Sequence, residues 1–136
     1  MEKESQVTSD NLFTAKYRKL QSEYRAEILK EPSGNGPHKN SPDTYGNMLI
    51  DGETTGSNFI SKAAFHFAKQ KVLDKQINQC LTIDEYRLFN NMLSSMPMCF
   101  NLFSDLRALL LTDPKEVSRI VKLLFNELTW IGMLLI

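Results

Sequence analysis

The side chains in this sequence that are best suited to ligating zinc or acting as catalytic nucleophiles are widely separated. The histidines and cysteines stand singly, at His38, His66, Cys80 and Cys99. A zinc site needs several such ligands at close spacing or on one face, and a nucleophilic cysteine or serine needs a histidine beside it. The sequence therefore predicts no metal or other cofactor held by this chain, and Cys99 is expected in the core.

Four lysines near one predicted helix are the best candidates for contact with nucleic-acid phosphates. They are Lys62, Lys69, Lys71 and Lys75. Lysines opposite an apolar stripe usually form only a solvated face, so that alternative stays open. The chain has 16 Lys and Arg against 16 Asp and Glu, so no net positive charge indicates autonomous binding to a polyanion.

The elements that must position these residues are predicted to be four to five helices, which makes the fold class mainly α. A first helix is capped by Asp10, and its apolar face consists of Leu12, Phe13, Tyr17, Leu20, Tyr24 and Ile28. A second helix begins after Ser57 or Asn58 and ends near Leu73. Thr82 and Glu85 form a capping box that starts a third helix.

Two further helices are predicted in the last third of the chain. One starts around Pro97 and ends at Leu111. The other has the clearest start signal, with Asp113 as N-cap, Pro114 at the first helical position and Glu116 three residues after the cap. This last helix is expected to continue to Leu128.

Residues 31–57 are predicted to be a Gly/Pro-rich surface loop. They hold five of the six glycines and three of the five prolines. These residues interrupt helices, so only a short extended piece, Tyr45 to Ile50, is expected there.

The ends of the chain are predicted to differ from its helical region. Residues 1–9 are expected to be disordered, residues 10–128 form the helical region, and residues 129–136 are an apolar C-terminal segment. The uncharged run Trp130 to Ile136 is shorter than the about 20 residues that cross a bilayer, so we expect no membrane span. Alternatives that remain open for it are a buried strand, a surface for self-association and a surface for a protein partner. The polar amino terminus and the few cysteines favour a cytoplasmic location.

The predicted core draws on residues from every helix. Its members are Tyr17, Leu20, Tyr24, Phe59, Phe67, Phe89, Leu93, Phe100, Phe103, Val117, Val121 and Leu124. Within it, the block around Pro97 is expected to act as a packing centre, in which Phe100 and Phe103 are buried and Asn101 bonds backbone groups left unpaired at the helix break.

The block NNMLSSMPMCFNLF, Asn90 to Phe103, resembles the signature of a restriction-endonuclease-like family in the PD-(D/E)XK nuclease superfamily. Its family-signature positions, interpreted as structural, are Asn91, Leu93, Ser94, Ser95, Cys99, Phe100, Asn101 and Phe103. Other patches agree in order with the helical region that precedes the nuclease core in that family: Tyr17-Arg18 with Gln21, Tyr24 and Arg25, then Tyr45-Gly46 with Leu49, then Gly56 with Asn58-Phe59.

This resemblance implies a metal-dependent endonuclease that acts on DNA, with Mg²⁺ held by carboxylates on adjacent strands. Asp43 and Glu85 spell fragments of that acidic motif, but a loop and a helix start are the wrong platforms for it. In the resembling family the motif follows the helix that here spans Pro114 to Leu128, where this sequence has TWIGMLLI. We therefore expect the helical amino-terminal part of an α/β nuclease whose catalytic sheet is missing and which is inactive alone. The alternative is a small non-enzymatic helical module for protein interaction or regulation.

Overall fold

The computed structural model describes residues 7–78 and 82–124, which are mostly helical. An initial helix, α1 (Leu12–Glu23), continues as one π-helical segment, Tyr24–Leu29. The other elements are β1 (Ser33–Asn35), β2 (Thr44–Leu49), α2 (Gly52–Thr55), α3 (Lys62–Asn78), α4 (Glu85–Asn90), α5 (Ser95–Thr112) and α6 (Pro114–Leu124). The mainly helical class is confirmed. The predictions for residues 1–6, Cys80, the end of the last helix at Leu128 and Trp130 to Ile136 concern positions outside the described residues.

The starts of α5 and α6 lie where their sequence signals predict. Ser94 accepts a hydrogen bond from the Met96 amide at 3.2 Å. Pro97 lies in the first turn of α5, where a backbone N–H would have no acceptor within the helix, so proline loses no helical hydrogen bond there. At α6, Asp113 accepts from the Glu116 amide at 3.1 Å. Local chemistry alone determines these two boundaries.

The starts of α1, α3 and α4 differ from prediction. The caps are Asn11, which accepts from the Thr14 amide at 2.9 Å, Ser61, which accepts from Ala64 at 3.0 Å, and Asp84, which accepts from Arg87 at 3.0 Å. Asp10 does not cap α1 because its carboxylate is paired with Arg18. The helix α3 also continues beyond Leu73 to Asn78.

The segment predicted as a surface loop is instead an antiparallel hairpin in the middle of the fold. Strand β2 confirms the expected extended piece, and Asn47, Met48 and Leu49 are each at most 2% exposed. The pairing register of the two strands shifts between Ser33 and Gly34. A Cβ atom on Gly34 would lie 2.2 Å from the carbonyl oxygen of Leu49. Glycine is therefore required where the strands approach. The prediction of a surface loop is wrong for residues 46–49, which are buried, whereas residues 37–40 and 42–44 are exposed.

The main hydrophobic cluster lies between α3, α4 and α5. Ala68, Val72, Leu88 and Phe89 are buried, and Phe59, Phe65, Ile83, Met96 and Phe100 pack around them. Phe89 is the predicted core residue that is fully buried, while Phe59, Phe67, Leu93, Phe100, Val117 and Val121 are partly buried. The burial of the Leu124 side chain lies outside what the structure describes.

Four predicted core residues are exposed instead. Tyr17, Leu20 and Tyr24 are 39%, 48% and 47% exposed, and Phe103 is 57% exposed. On α1 and its π-helical extension the inward-facing residues are polar, and Ser22 and Arg25 are buried. The apolar periodicity of this helix correctly predicts a helix but not the face that the fold buries.

Candidate functional site

Arg18 joins α1 to the hairpin through a group of polar contacts. Its Nε donates to Asp10 Oδ2 at 2.6 Å and its Nη2 to Asp10 Oδ1 at 3.1 Å. Its Nη1 donates to Oδ1 of Asn47, and the guanidinium lies 5.4 Å from the centre of the Tyr45 ring. A guanidinium fork held by a carboxylate is well suited to fixing one orientation of a helix.

Arg25 makes a second, deeper connection between the same elements. It is 4% exposed, its Nε donates to the carbonyl oxygen of Gly46 at 2.7 Å, and its Nη1 donates to the carbonyl oxygen of Glu31. A buried cation is tolerated only where acceptors replace its water. Arg25 therefore locks the inner face of the helix against β2.

Asn47 and Asn91 connect the hairpin to the residues between α4 and α5. Nδ2 of Asn47 donates to Oδ1 of Asn91 at 2.9 Å, and the same oxygen accepts from the Leu93 amide at 3.0 Å. The carbonyl oxygen of Asn47 accepts from the Met92 amide at 3.0 Å. These bonds satisfy polar groups that would otherwise be costly to bury.

Asn58 and Asn101 continue this arrangement towards α3. Nδ2 of Asn58 donates to the carbonyl oxygens of Leu88 at 3.0 Å and Asn91 at 3.3 Å. Asn101 donates to the carbonyl oxygen of Asn58 and accepts from the Ile60 amide, both at 3.0 Å. Asn101 thus bonds backbone as predicted, but the backbone is the approach to α3 and not the break at Pro97.

Asn90 completes the set by holding the start of α2. Its Oδ1 accepts from the Gly52 amide at 2.8 Å. A Cβ atom on Gly52 would lie 2.0 Å from the carbonyl oxygen of Phe89, so this contact depends on glycine. Asn47, Asn58, Asn90, Asn91 and Asn101 together form what we term the asparagine network.

The remaining signature positions divide between the interior and the surface. Ser94 is 6% exposed and caps α5, whereas Ser95 is exposed. Cys99 is exposed, so its expected place in the core is wrong, as it is for Phe103. Both residues lie on the outer side of α5, since the helix turns Pro97 and Ser104 inward.

The structure divides the four candidate lysines into two pairs with different surroundings. Lys62 and Lys69 are exposed, are seven residues apart and hence share a face of α3. The Nζ of Lys71 lies 2.7 Å from Oδ2 of Asp74. The Nζ of Lys75 donates to the carbonyl oxygen of Ile83 at 2.6 Å and lies 3.7 Å from Oε1 of Glu85. The structure therefore does not bring all four ammonium groups to one surface.

Arg107 is a basic residue that sequence reasoning missed. Its guanidinium lies 4.6 Å from the centre of the Phe67 ring, and the Lys71 ammonium lies 5.6 Å from the same centre. The ring also meets Phe100 at 5.7 Å, with the planes 61° apart. The only signal in the sequence is that Arg107 lies seven residues after Phe100, which places both on one side of α5.

The carboxylates of the described residues do not fit a magnesium site. Those residues contain no group of three or more His, Cys, Asp or Glu side chains that could hold a metal ion. Four acidic side chains have other partners: Asp10 and Asp74 pair with bases, while Asp84 and Asp113 cap helices. Glu85 begins α4 beside Lys75, and Asp43 lies exposed just before β2.

A comparison with protein families connects this arrangement to a known superfamily. The sequence model of the PD-(D/E)XK nuclease superfamily matches residues 8–132. The chain belongs to the PD-(D/E)XK nuclease superfamily. The resemblance inferred from the sequence is thereby confirmed, and the asparagine network lies within the matched PD-(D/E)XK region. No curated protein and no solved structure matches the chain significantly.

A helix of this PD-(D/E)XK protein would need about 20 mostly apolar residues to span a bilayer. Within residues 7–78 and 82–124, no helix is both long enough and apolar enough to span one.

Proposed function

We propose that this PD-(D/E)XK protein takes part in the hydrolysis of DNA phosphodiester bonds as the helical part of a restriction-endonuclease-like enzyme. The superfamily match over residues 8–132 supports this proposal, because it includes every described element. In such enzymes a magnesium ion polarises the phosphate and lowers the pKa of an attacking water. The described residues form the framework beside that centre, and the metal ligands lie outside them.

The framework role is supported by how the signature asparagines are used. In the asparagine network, the side chain of Asn47 in the hairpin bonds to that of Asn91, and the other side-chain amides bond to backbone groups of α2, of α4 and of the approach to α3. Amide groups committed in this way hold elements in one arrangement, and they are not available to activate water. A rigid support of this kind is what a catalytic constellation needs from its surroundings.

Lys62 and Lys69 are proposed to contact DNA phosphates along the exposed face of α3. Lys69 lies 4.8 Å from the centre of the Phe65 ring, which holds its ammonium group near the surface. Lys71 and Lys75 have carboxylate neighbours, so their charges are partly neutralised within the fold. Phosphate contact by one lysine pair contributes affinity without sequence preference.

A plasmid assay tests the position of the catalytic centre. Purified chain is incubated with supercoiled plasmid and Mg²⁺, and nicked or linear product is measured with an EDTA control. We expect no cleavage. Cleavage that EDTA abolishes would contradict the proposal that this chain supplies only the helical framework and not a complete metal site.

The coding sequence tests the nuclease assignment separately. Reading beyond the codon for Ile136 in all frames should reveal an acidic residue and a downstream Glu-x-Lys on predicted strands. A polypeptide extended through that sequence should nick plasmid with Mg²⁺. Unrelated sequence in every frame would contradict the assignment.

Fluorescence anisotropy with a short DNA duplex tests the lysine contacts. The double variant K62E/K69E should bind more weakly, and the slope of log K against log salt should fall by about 2, since each phosphate contact contributes about 0.9. The variant K115E/K122E is the matched control, because it reverses two exposed charges on α6. Equal losses in both variants would show that only net charge matters.

A second candidate function, a helical interaction module, is favoured by the exposed apolar side chains of α5. Met98, Leu102 and Leu110 are 55%, 56% and 47% exposed. If the chain acts only in this way, the extended polypeptide should show no cleavage and K62E/K69E should leave DNA affinity unchanged.

A further inference from the structure

The outer face of α1 and its π-helical extension carries a continuous apolar surface. Its members, which we term the apolar stripe, are Leu12, Phe13, Tyr17, Leu20, Tyr24 and Ile28, and their exposure ranges from 39% for Tyr17 to 93% for Leu12. Given their fractional exposures and the size of such side chains, the stripe exposes roughly 700 Å². That exceeds the about 300–600 Å² of the largest apolar patch on a typical monomer.

The stripe cannot turn inward while the opposite face of the helix keeps its bonds. Arg18 is held by Asp10 and Asn47, and Arg25 is held by the carbonyl groups of Gly46 and Glu31. Rotating the helix to bury Leu20 would leave a buried guanidinium without its acceptors, which is strongly unfavourable. The stripe is therefore an outward surface of the folded chain.

We propose that the apolar stripe is the interface of a twofold symmetric dimer in which two copies of α1 pack antiparallel. Two copies of the stripe would bury roughly 1,400 Å², which lies within the about 1,200–2,000 Å² of standard stable interfaces. The Phe13 and Tyr17 rings, with centroids 4.5 Å apart, form a ready aromatic anchor for such a contact.

The charges beside the stripe determine the partner and its direction. Lys16 and Lys19 lie towards the start of the helix, Glu23 and Glu27 lie towards its end, and all four are exposed. In an antiparallel twofold pair, the charged edge of one helix lies beside the same edge of the partner helix, which runs in the opposite direction. The lysines of one copy therefore meet the glutamates of the other. A parallel twofold pair would instead place this charged edge against the opposite edge of the partner helix, so the lysines and glutamates of the two copies would not meet. A second copy of this chain thus has the complementary pattern.

Sedimentation of the full chain at low salt, over a range of concentrations, tests the proposal. The wild-type chain should dimerise, and Leu20→Asp should weaken dimerisation about 100-fold, since it places a carboxylate at the centre of the interface in both copies. Ile60→Asp is the matched control, because Ile60 is 76% exposed and lies outside the stripe. Circular dichroism should show both variants to be folded.

Charge reversal tests the antiparallel direction. The variants K16E/K19E and E23K/E27K should each dimerise about tenfold more weakly than wild type, and an equimolar mixture should regain the affinity. A wild-type chain that stays monomeric would overturn the proposal, whether another segment of the chain or another protein covers the stripe. Dimers that are insensitive to Leu20→Asp, or variants that mixing does not rescue, would overturn it equally.

Discussion

Replacing Asn58 by alanine is the sharpest test of the asparagine network. Asn58 is 9% exposed, and its single amide group donates to the carbonyl oxygens of Leu88 and Asn91. Each hydrogen bond contributes about 0.5–1.5 kcal/mol, and a buried acceptor left without a partner costs about 1–3 kcal/mol. We therefore expect Asn58→Ala to lower the free energy of unfolding by about 2–4 kcal/mol, a large part of the about 5–15 kcal/mol typical of a domain.

The measurement is urea denaturation followed by circular dichroism. The midpoint should fall while the slope of the transition stays constant, because the variant changes stability and not the surface exposed on unfolding. Asn58→Asp has nearly the same shape but presents a carboxylate to two carbonyl oxygens, so it should cost more than alanine. These two variants separate loss of packing from loss of the donor.

Asn40→Ala is the control for asparagine removal as such. Asn40 is exposed in the connection between β1 and β2, so the substitution should change the free energy of unfolding by less than about 0.5 kcal/mol. A change of that small size at Asn58 as well would refute the reasoning, since it would show that the network does not stabilise the fold.

Three further substitutions test separate features. Phe100→Ala removes a partly buried ring that packs against Phe67 and should cost about 3 kcal/mol in chemical denaturation; a loss near zero would show that the ring is not packed. Gly52→Ala places a Cβ atom 2.0 Å from a carbonyl oxygen and should cost about 3 kcal/mol, whereas a loss below about 1 kcal/mol would contradict this close approach. Burial raises the pKa of the Tyr86 hydroxyl, which donates to Asn35 at 2.7 Å. The contribution of the protonated Tyr86 hydroxyl to stability is therefore present below pH about 10, the ordinary pKa of tyrosine, and is lost as pH rises through the raised pKa. Tyr86→Phe should then reduce the loss of stability at alkaline pH, and identical profiles of stability against pH would contradict this.

The parts of the fold that were predictable from sequence are those determined by local chemistry. Asp113, Pro114 and Glu116 specify a helix start through groups that are within one turn of one another. The same holds for the start of α5, because Pro97 has no backbone N–H and is therefore favoured in the first turn of a helix. The superfamily could be recognised from the block that begins at Asn90 because its spacing is also local.

The hairpin could not be predicted because its partners lie far along the chain. Glycines at positions 34, 36 and 46 indicate a loop when neighbours alone are considered. Burial of Asn47 depends on Arg18 and on Asn91, which are 29 and 44 residues away. Such contacts leave no periodic pattern in the sequence, so the sequence predicts the extended piece at Tyr45 to Ile50 but not its burial.

The predicted buried face of α1 was wrong for a related reason. Periodicity shows that Tyr17, Leu20 and Tyr24 share a face, but it does not say whether that face meets the core or another surface. The decision is made by Arg18 and Arg25, whose acceptors are provided by the hairpin. The division of the candidate lysines into two pairs also depends on the fold. The sequence shows acidic residues near Lys71 and Lys75, but it does not show that their carboxylates lie beside these two ammonium groups.

The asparagine network has a consequence for how sequence searches on this superfamily are interpreted. Asn90, Asn91 and Asn101 belong to the block around Cys99 that carries the resemblance, and all three bond the polypeptide to itself. Replacing one of these amides should therefore change the stability of the fold and not the chemistry of a metal site. A search pattern built on this block therefore recognises how these elements are held together, and it carries no information on whether a chain has catalytic acidic residues.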